Sequence, residues 1–332
     1  MPKRHSPRKS SMQFWPRKRS PRPYSGVKAR VSSKTVKPLE FAGYKAGMTH
    51  VLIKDGAKNS LTKGMNISVP VTVIECPAIK IAGIRFYAKK GYGTMVQTEV
   101  LNNKVDKELG RKICLAKEAE DFSKAIDAVK LDKIVDVKVL VYTEPKKVGI
   151  GKKKPEVFEM ALGGDLASKV KFVKDHAEKG IALNDVFKAG EFVDVHGITK
   201  GKGFQGSVKR YGVEIRSHKA EKTKRAPGSL GPWSGQGHIM YREAYAGKMG
   251  YHPRIDYNKQ IVLISDNAND VNVDGGFINF GLVKGQYLLL KGSVPGPKKR
   301  LVRLVASIRL SKKVGTEAPK VIKIVKDSPQ GC

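Results

Sequence analysis

The chain has 332 residues and a formal net charge of +34, with 64 Lys and Arg against 30 Asp and Glu. A free globular protein with that charge would repel itself and bind polyanions without discrimination, so the composition favours a permanent polyanionic partner, nucleic acid first, over a merely solvated basic surface. Three scattered cysteines without Cys-x-x-Cys spacing, no bilayer-length apolar run and no secretory leader give no basis for a zinc site, a disulfide framework or export, and we expect a cytoplasmic location.

The first 39 residues are predicted to form a basic, extended tail. They carry 12 Lys and Arg, six prolines and no acid, a composition that cannot bury a core. Trp15 interrupts the basic run, and an aromatic among arginines suits stacking on RNA bases. The alternative is that Trp15 packs back onto the protein itself. The tail residues predicted to bind RNA are Arg4, Arg8, Lys9, Trp15, Arg17, Lys18, Arg19 and Arg22.

From residue 40 to 100 the sequence changes to short β-like runs separated by glycines. Residues 47–53 and 67–73 are predicted strands, and the second alternates at period two. Pro70 cannot donate a ladder hydrogen bond, which places that strand at a sheet edge or a bulge. A further strand is predicted over 79–88.

Residues 101–189 are predicted to be an α-containing insertion. Over 101–190 the chain holds 15 acidic and 19 basic residues, an ordinary balance for a surface that faces solvent or protein. Helical spacing runs over 115–129, and 166–179 is a second helix candidate.

Strand-like runs return at 191–195, 260–264, 277–280, 286–290 and 301–308. Neither these nor the strands before residue 100 suffice to close a barrel alone. We therefore predict a mainly β fold with an α insertion. Its closed barrel is discontinuous, built from 40–100 and 190–310, and 311–332 form a C-terminal tail.

Between residues 197 and 259 the apolar periodicity is lost, and 13 Lys and Arg face four acids. So long a stretch without regular structure is typical of a functional loop, disordered when free and ordered when bound. The RNA-binding residues predicted here are Lys200, Lys202, Lys209, Arg210, Arg216, His218, Lys219, Lys222, Lys224, Arg225, Arg242, Lys248, His252 and Arg254, and Lys298, Lys299 and Arg300 extend the set beyond the loop.

The segment Gly201-Lys-Gly-Phe-Gln-Gly206 matches the G-x-G-x-x-G dinucleotide pattern. That function needs a helix after the glycines to hold a pyrophosphate, and the following residues show an early glycine and no helical stripe. The glycines instead suit close approach of the backbone to a phosphate chain.

Catalytic machinery is absent from the sequence pattern. The histidines lack metal-ligand spacing, no serine has a nucleophile-elbow context, and no paired carboxylates stand out. We expect no enzyme activity, cofactor, metal, membrane or small-molecule substrate.

The most specific local feature is a Gly/Pro-rich stretch over 226–237 with Trp233 at its centre. Tryptophan is rarely left in water, and glycines offer it little to pack against. We predict a finger with Gly231, Pro232 and Trp233 at its tip, inserted into a cavity of the partner. The alternative is a Trp233 packed on the barrel rim.

Several stretches resemble the universal large-subunit ribosomal protein L-three family, in its archaeal form. The matching segments are 43–51 (GYKAGMTHV), 71–77 (VTVIECP), 195–206 (VHGITKGKGFQG), 228–233 (GSLGPW), 247–254 (GKMGYHPR) and 291–300 (KGSVPGPKKR). The resemblance implies a translation-protein type barrel with two extensions in large-subunit ribosomal RNA, early assembly, and Trp233 approaching the peptidyl transferase centre. Residues 234–246 depart from the family's pattern.

The sequence therefore predicts a structural constituent of the large ribosomal subunit, with large-subunit ribosomal RNA and neighbouring ribosomal proteins as partners. One alternative is a free nucleic-acid-binding or chaperone protein. A second is a nucleotide-dependent enzyme built on residues 201–206.

Overall fold

The computed structural model describes residues 11–56, 59–115, 121–232, 237–311 and 314–327. The chain divides into two compact units. We call Tyr24–Gly197 with Ile255–Cys332 the β unit, and Met1–Pro23 with Ile198–Arg254 the extension unit.

The described residues are mainly β, which confirms the predicted fold class at that level. The strands are β1 (Glu40–Lys54), β2 (Asn66–Glu75), β3 (Lys80–Lys90), β4 (Gly93–Leu101), β5 (Ile134–Tyr142), β6 (Val157–Ala161), β7 (Phe192–Ile198), β8 (Phe204–Gln205), β9 (Gly247–Lys248), β10 (Pro253–Ser265), β11 (Tyr287–Lys291), β12 (Leu301–Ala306) and β13 (Lys320–Ile324). The α-helices are α1 (Phe122–Asp127), α2 (Pro145–Val148), α3 (Leu166–His176) and α4 (Ser207–Tyr211).

Six strands of the main sheet pair in a ring. Their order is β12, β7, β10, β11, β2 and β1, and β1 pairs again with β12. β1 is antiparallel to both of its ring neighbours, with Phe41 opposite Leu304 and Val51 opposite Val69. Phe41, Tyr44 and Val51 on β1 are fully buried and belong to the main hydrophobic core.

Pro70 lies in β2 at a position where a missing N–H is tolerated. The pairing of β2 with β11 ends at Val71 opposite Lys291, one residue before Pro70 is reached. On its other side Pro70 still lies opposite His50 of β1. β2 is therefore an inner strand of the sheet, and only this end of it has the character of an edge.

The predicted strand at 277–280 is wrong. Phe277 and Gly281 form an isolated bridge around a turn, and Phe277 packs instead against β1. A Cβ on Gly47 would lie 2.4 Å from Cδ1 of Phe277, so the Phe277 ring can pack there only because residue 47 is glycine. Phe277 and Phe280 are buried although residues 278–280 form a turn. The sequence pattern of apolar residues alone does not distinguish such a turn from a strand.

The assignment of the whole of 40–100 to one barrel is also wrong. β3 and β4 form a second, four-stranded sheet with β5 and β6, in the order β4, β3, β5, β6. Ile84 of β3 lies opposite Val139 of β5. Residues 101–189 therefore contribute strands as well as helices, and they share a sheet with residues 80–101. Alternation predicts a strand but does not specify its partner.

The two helix candidates of this region have different outcomes. α3 occupies most of the predicted 166–179, and it ends earlier because Gly180, with φ +77°, donates its N–H to the carbonyl of His176. Val173 of α3 is fully buried, and Lys169 forms a 2.7 Å ion pair with Asp136 of β5. α1 covers the second half of the other candidate, whose residues 116–120 lie outside the described part of the chain.

Both predicted tails contain residues that belong to the β unit. Tyr24 is only 7% exposed and donates its hydroxyl to the Val157 carbonyl at 2.7 Å. Pro38 bridges to Leu162, and β13 pairs antiparallel with β1. The predicted tails, 1–39 and 311–332, are therefore too long, because each includes residues that pack in the β unit. Single buried side chains in a polar stretch, such as Tyr24, leave no periodic signal.

A buried ionic network connects the ring to the second sheet. Glu40 at the start of β1 is fully buried and accepts from Arg30 at 3.1 Å and from Arg303 of β12 at 2.5 Å. Glu40 also accepts the N–H of Ala161, at the end of β6. Such a network stabilises only when complete, because loss of one partner leaves a buried charge uncompensated.

Candidate nucleic-acid interface

Two antiparallel arms form the base of the extension unit. The N–H of Thr199 donates to the His252 carbonyl at 3.0 Å, and the N–H of Lys202 donates to the Met249 carbonyl at 2.9 Å. β8 and β9 continue the pairing, with Phe204 opposite Lys248. We call residues 199–206 and 247–252 the stem.

The arms approach each other too closely for a side chain at Gly250. A Cβ there would lie 2.1 Å from the Lys200 carbonyl oxygen, and the φ of Gly250 is +79°. Both features require glycine. The two arms of the stem therefore have a fixed register. That register determines where the basic residues between the two arms begin.

A helix follows the G-x-G-x-x-G segment, which corrects the expectation that none would. α4 has only five residues, from Ser207 to Tyr211, and ends at Gly212 with φ +71°. Its early end agrees with the predicted effect of that glycine. α4 buries Tyr211, which is 4% exposed and lies among arginines.

Arg210 is predicted to neutralise phosphate, but it makes contacts within the protein. Its Nε donates to the Lys248 carbonyl at 3.2 Å and its Nη1 to the Tyr245 carbonyl at 2.9 Å. Its guanidinium carbon also lies 5.1 Å from the centroid of the Tyr211 ring. Arg210 therefore ties α4 to the returning arm.

Residues 11–23 pack on the rest of the extension unit. The Trp15 ring makes edge contacts with Tyr211 and Tyr241, at centroid distances of 6.3 and 5.5 Å. The guanidinium carbons of Arg17 and Arg254 lie 4.5 and 4.7 Å from the ring centroids of Tyr211 and Phe14. The alternative for Trp15, packing on the protein itself, agrees with these contacts.

His252 is predicted to bind RNA, but the structure buries it. Only 7% of the residue is exposed, and its Nδ1 lies 2.9 Å from the Lys18 carbonyl, so Nδ1 carries a proton and donates. Burial lowers the pKa of His252, and the nearby Arg254, Arg17 and Arg210 lower it further, although the Lys18 contact raises it. A neutral His252 therefore fastens the N-terminal segment to the stem.

Most of the other predicted RNA-binding residues are exposed on the extension unit. They are Lys18, Arg19, Arg22, Lys200, Lys202, Lys209, Arg216, His218, Lys219, Lys222, Lys224, Arg225, Arg242 and Lys248. Within the described residues, none of them forms a salt bridge, whereas every ion pair found lies in the β unit. The extension unit thus presents cations that form no ion pair with the described carboxylates of this chain.

A second basic group lies in the β unit before β12. Lys298 and Arg300 are half-buried and Lys299 is exposed. The N–H of Lys299 donates to the Lys45 carbonyl, and the N–H of Lys45 donates to the Arg300 carbonyl. The Lys45 ammonium also donates to the Val294 carbonyl at 2.6 Å, so Lys45 of β1 fixes the conformation of residues 294–300.

Some predicted site residues fall outside the described ranges, namely Arg4, Arg8, Lys9 and Trp233. At the edge of the tip, Gly231 and Pro232 are exposed. Gly231 has φ +90°, and a Cβ there would lie 3.1 Å from Oε1 of Glu243, so the chain approaches the returning arm before the tryptophan.

Three residues of this candidate interface are not predicted from the sequence. Tyr211, Tyr241 and Glu243 line one cavity with Trp15 and Arg17. Their positions follow no helical or strand period. The one available signal is that Tyr211 and Tyr241 each stand next to an arginine, a pattern that suits nucleic-acid contact but is too short to be specific.

Other kinds of site lack support in the described part of the chain. No helix there is long and apolar enough to cross a bilayer. The same residues contain no group of three or more His, Cys, Asp or Glu that could hold a metal ion.

Almost the whole of the chain is similar in sequence to one protein family. The family model described as "Ribosomal protein L3" matches residues 1–329. The chain belongs to the ribosomal protein L3 family.

Archaeal proteins named "Large ribosomal subunit protein uL3" are similar over nearly the whole length. The protein of Methanococcus aeolicus is 45% identical over 310 residues, which cover 92% of each chain. That of Methanobrevibacter smithii is 44% identical over 338 residues and that of Methanococcus vannielii 43% over 334, covering 100% and 99% of both chains. The family recognised from the sequence segments is confirmed.

Proposed function

We propose that this chain is a structural constituent of the large ribosomal subunit and binds large-subunit ribosomal RNA through its extension unit. The observation that carries the proposal is the set of exposed cations on the described part of that unit, which form no salt bridges there. Without a polyanion these like charges repel each other, and with RNA each contact to a phosphate releases condensed counterions. The names of the archaeal relatives place those proteins in the large subunit.

The stem and the N-terminal segment have separate parts in this proposal. The stem fixes where the basic loop begins, because Gly250 and Arg210 hold its two arms in register. Residues 11–23 bring Lys18, Arg19 and Arg22 beside that stem, so their charges add to those of the loop. A ribosome-bound, cytoplasmic chain with RNA and neighbouring ribosomal proteins as partners follows from the proposal.

We further infer that the six-stranded ring is a closed barrel of the translation-protein type. Support comes from the continuous pairing of β12, β7, β10, β11, β2 and β1 back to β12. In this proposal the barrel docks on RNA early in subunit assembly, and the basic loop carries Trp233 toward the peptidyl transferase centre.

Sucrose-gradient fractionation of extract from cells expressing the tagged full chain tests this proposal. We expect the chain to co-sediment with large subunits and to remain there after a salt wash that removes loosely bound proteins. Sedimentation with free RNA, or at the top of the gradient, would identify a free nucleic-acid-binding protein instead.

A further inference from the structure

The extension unit contains a cavity of about 300 Å³. Its lining includes Trp15, Arg17, Tyr211, Tyr241 and Glu243. The volume is at the low end for sites that take a small ligand. The lining thus combines aromatic rings with arginine and carboxylate side chains.

The aromatic part of the cavity includes an exposed ring. Tyr241 is 77% exposed, although it is a large aromatic residue. Trp15 meets Tyr241 and Tyr211 at interplanar angles of 68° and 73°, so neither tyrosine lies flat over the indole. Flat aromatic ligands stack on such open ring faces.

The polar part offers one donor and one acceptor. Nε1 of Trp15 is buried, and no hydrogen-bond partner is found for it among the described residues. Glu243 forms no salt bridge within those residues, although Arg17 and Arg210 line the same cavity. A ligand that carries both an acceptor and donors would satisfy both groups.

The charge around the cavity selects an anionic ligand. Arg17 and Arg210 both belong to its lining, and the adjoining surface carries the exposed cations of the N-terminal segment. A nucleotide combines the three required properties, a flat ring, hydrogen-bonding edges and a phosphate.

We propose that this cavity receives the base of a single unpaired nucleotide of the bound RNA, with guanine as the best fit. The two oxygens of Glu243 match the adjacent N1–H and amino donors of guanine, and O6 or N7 supplies an acceptor for Nε1 of Trp15. The base stacks on Tyr241, and the exposed cations of residues 18–22 lie near enough in sequence to Arg17 to contact its phosphates. This proposal rests on the proposed RNA-binding function.

Tryptophan fluorescence offers a direct test, because the chain has only two tryptophans. In a full-length Trp233→Phe protein, Trp15 is the single reporter. The probes are a short oligouridine with one central guanosine, the same oligomer with uridine, adenosine or cytidine at that position, and an RNA duplex. We expect the guanosine oligomer to quench Trp15 and to bind on the order of tenfold more tightly than oligouridine. The duplex should bind without quenching.

Three variants assign the effect to the cavity. Tyr241→Leu should weaken binding of the guanosine oligomer on the order of tenfold, because a stacking face is lost. Glu243→Gln, which keeps the shape of the side chain, should remove the preference for guanosine. Tyr257→Leu is the matched control, because Tyr257 is 42% exposed and lies beneath Arg309 at 5.2 Å, but belongs to the β unit. It should bind as the parent does.

Equal affinity for the guanosine and uridine oligomers, together with a Tyr241→Leu protein that matches the Tyr257→Leu control, would overturn the proposal. Filter binding of complete large-subunit ribosomal RNA separates this failure from a failure of the proposed function. If that RNA binds tightly while Trp15 does not respond, only the base-binding cavity is lost. If that RNA fails to bind as well, both proposals are overturned.

Discussion

Arg210 and His252 show how a basic residue in a segment predicted to bind RNA can act inside the protein. Both are predicted from their surroundings in the sequence to contact RNA. Arg210 donates to two carbonyls of the returning arm, and His252 holds the carbonyl of Lys18. Because the sequence pattern reports charge and not direction, these residues cannot be distinguished from exposed neighbours such as Lys209 without the fold.

Trp233→Ala tests the residue that the family resemblance places at the finger tip. Base–aromatic stacking is worth about 1–3 kcal/mol per base, a small term beside the many charge contacts of the loop. We therefore expect mutant subunits with a normal content of this protein but altered translation, or altered sensitivity to drugs at the peptidyl transferase centre. The measurement is translation by purified mutant ribosomes alongside their subunit profile.

The matched variant for Trp233→Ala replaces Lys222, Lys224 and Arg225 together by glutamine. All three are exposed, and their loss should weaken incorporation into subunits first. If Trp233→Ala abolished incorporation, the tryptophan would be a docking residue; if it changed nothing, the tip would have no functional contact.

His252 makes the attachment of the N-terminal segment depend on pH. Its pKa is lowered in the folded protein, so its contribution to stability is complete above the ordinary histidine value of about 6.5. That contribution falls as the pH drops below this value toward the folded-state pKa, because the unfolded chain then binds the proton more readily. We expect the Trp15 emission of a Trp233→Phe protein to shift to the red as the pH is lowered from about 7.5 to about 5.

The control for this pH effect is His252→Asn, whose amide can donate to Lys18 in place of Nδ1–H. Its Trp15 emission should stay constant over the same range. An identical acid-induced shift in both proteins would assign the effect to another group.

At the scale of elements, the stem depends on the absence of a side chain at Gly250. Gly250→Ala would place a Cβ against the Lys200 carbonyl and force a positive φ on alanine. We expect the stem to open more readily, by about 1–3 kcal/mol, so that the amides of Lys202 and Met249 exchange with solvent roughly 5- to 150-fold faster.

Gly203→Ala separates the two causes. Gly203 also has a positive φ, of +67°, but a Cβ added there would meet no atom within 4 Å apart from its own chain neighbours. It should therefore show only the cost of the left-handed conformation, about 1–2 kcal/mol or less. Equal exchange rates in the two variants would mean that close approach of the arms does not constrain the stem.

The sequence predicts the strands of the ring better than their neighbours. β1, β2 and β10 each contain a predicted run, and β7, β11 and β12 overlap one, because alternation and β-branched residues report burial on one face. The same local pattern does not indicate which strands pair with each other. β3 pairs with β5, and β5 with β6, although β5 and β6 lie in a region with an ordinary charge balance and two helix-like stretches. Only long-range contacts decide that pairing.

The candidate site is predictable in its charge but not in its arrangement. Net charge and glycine content locate the basic loop, and the G-x-G-x-x-G segment marks one arm of the stem. The meeting of Trp15 with Tyr211 and Tyr241 joins residues about two hundred positions apart, and no local period connects them.

At the scale of the whole molecule, the two units differ in how their charges are compensated. The β unit holds ion pairs on its surface and in its interior, including the buried pair of Arg303 with Glu40. Across the described residues of the extension unit, the exposed lysines and arginines form none. The ion pairs of the described residues thus lie in the β unit, while the exposed cations of the extension unit are suited to a polyanion.

The most direct test of the central claim is the salt dependence of binding to large-subunit ribosomal RNA. If the exposed cations of the extension unit neutralise about ten phosphates, the logarithm of affinity should fall with the logarithm of salt concentration at a slope of roughly −7 to −9. Replacing Lys222, Lys224 and Arg225 by glutamine should make the slope less steep by roughly two to three. A slope shallower than about −3 in the unaltered protein, or one that those substitutions leave unchanged, would contradict phosphate binding by the extension unit.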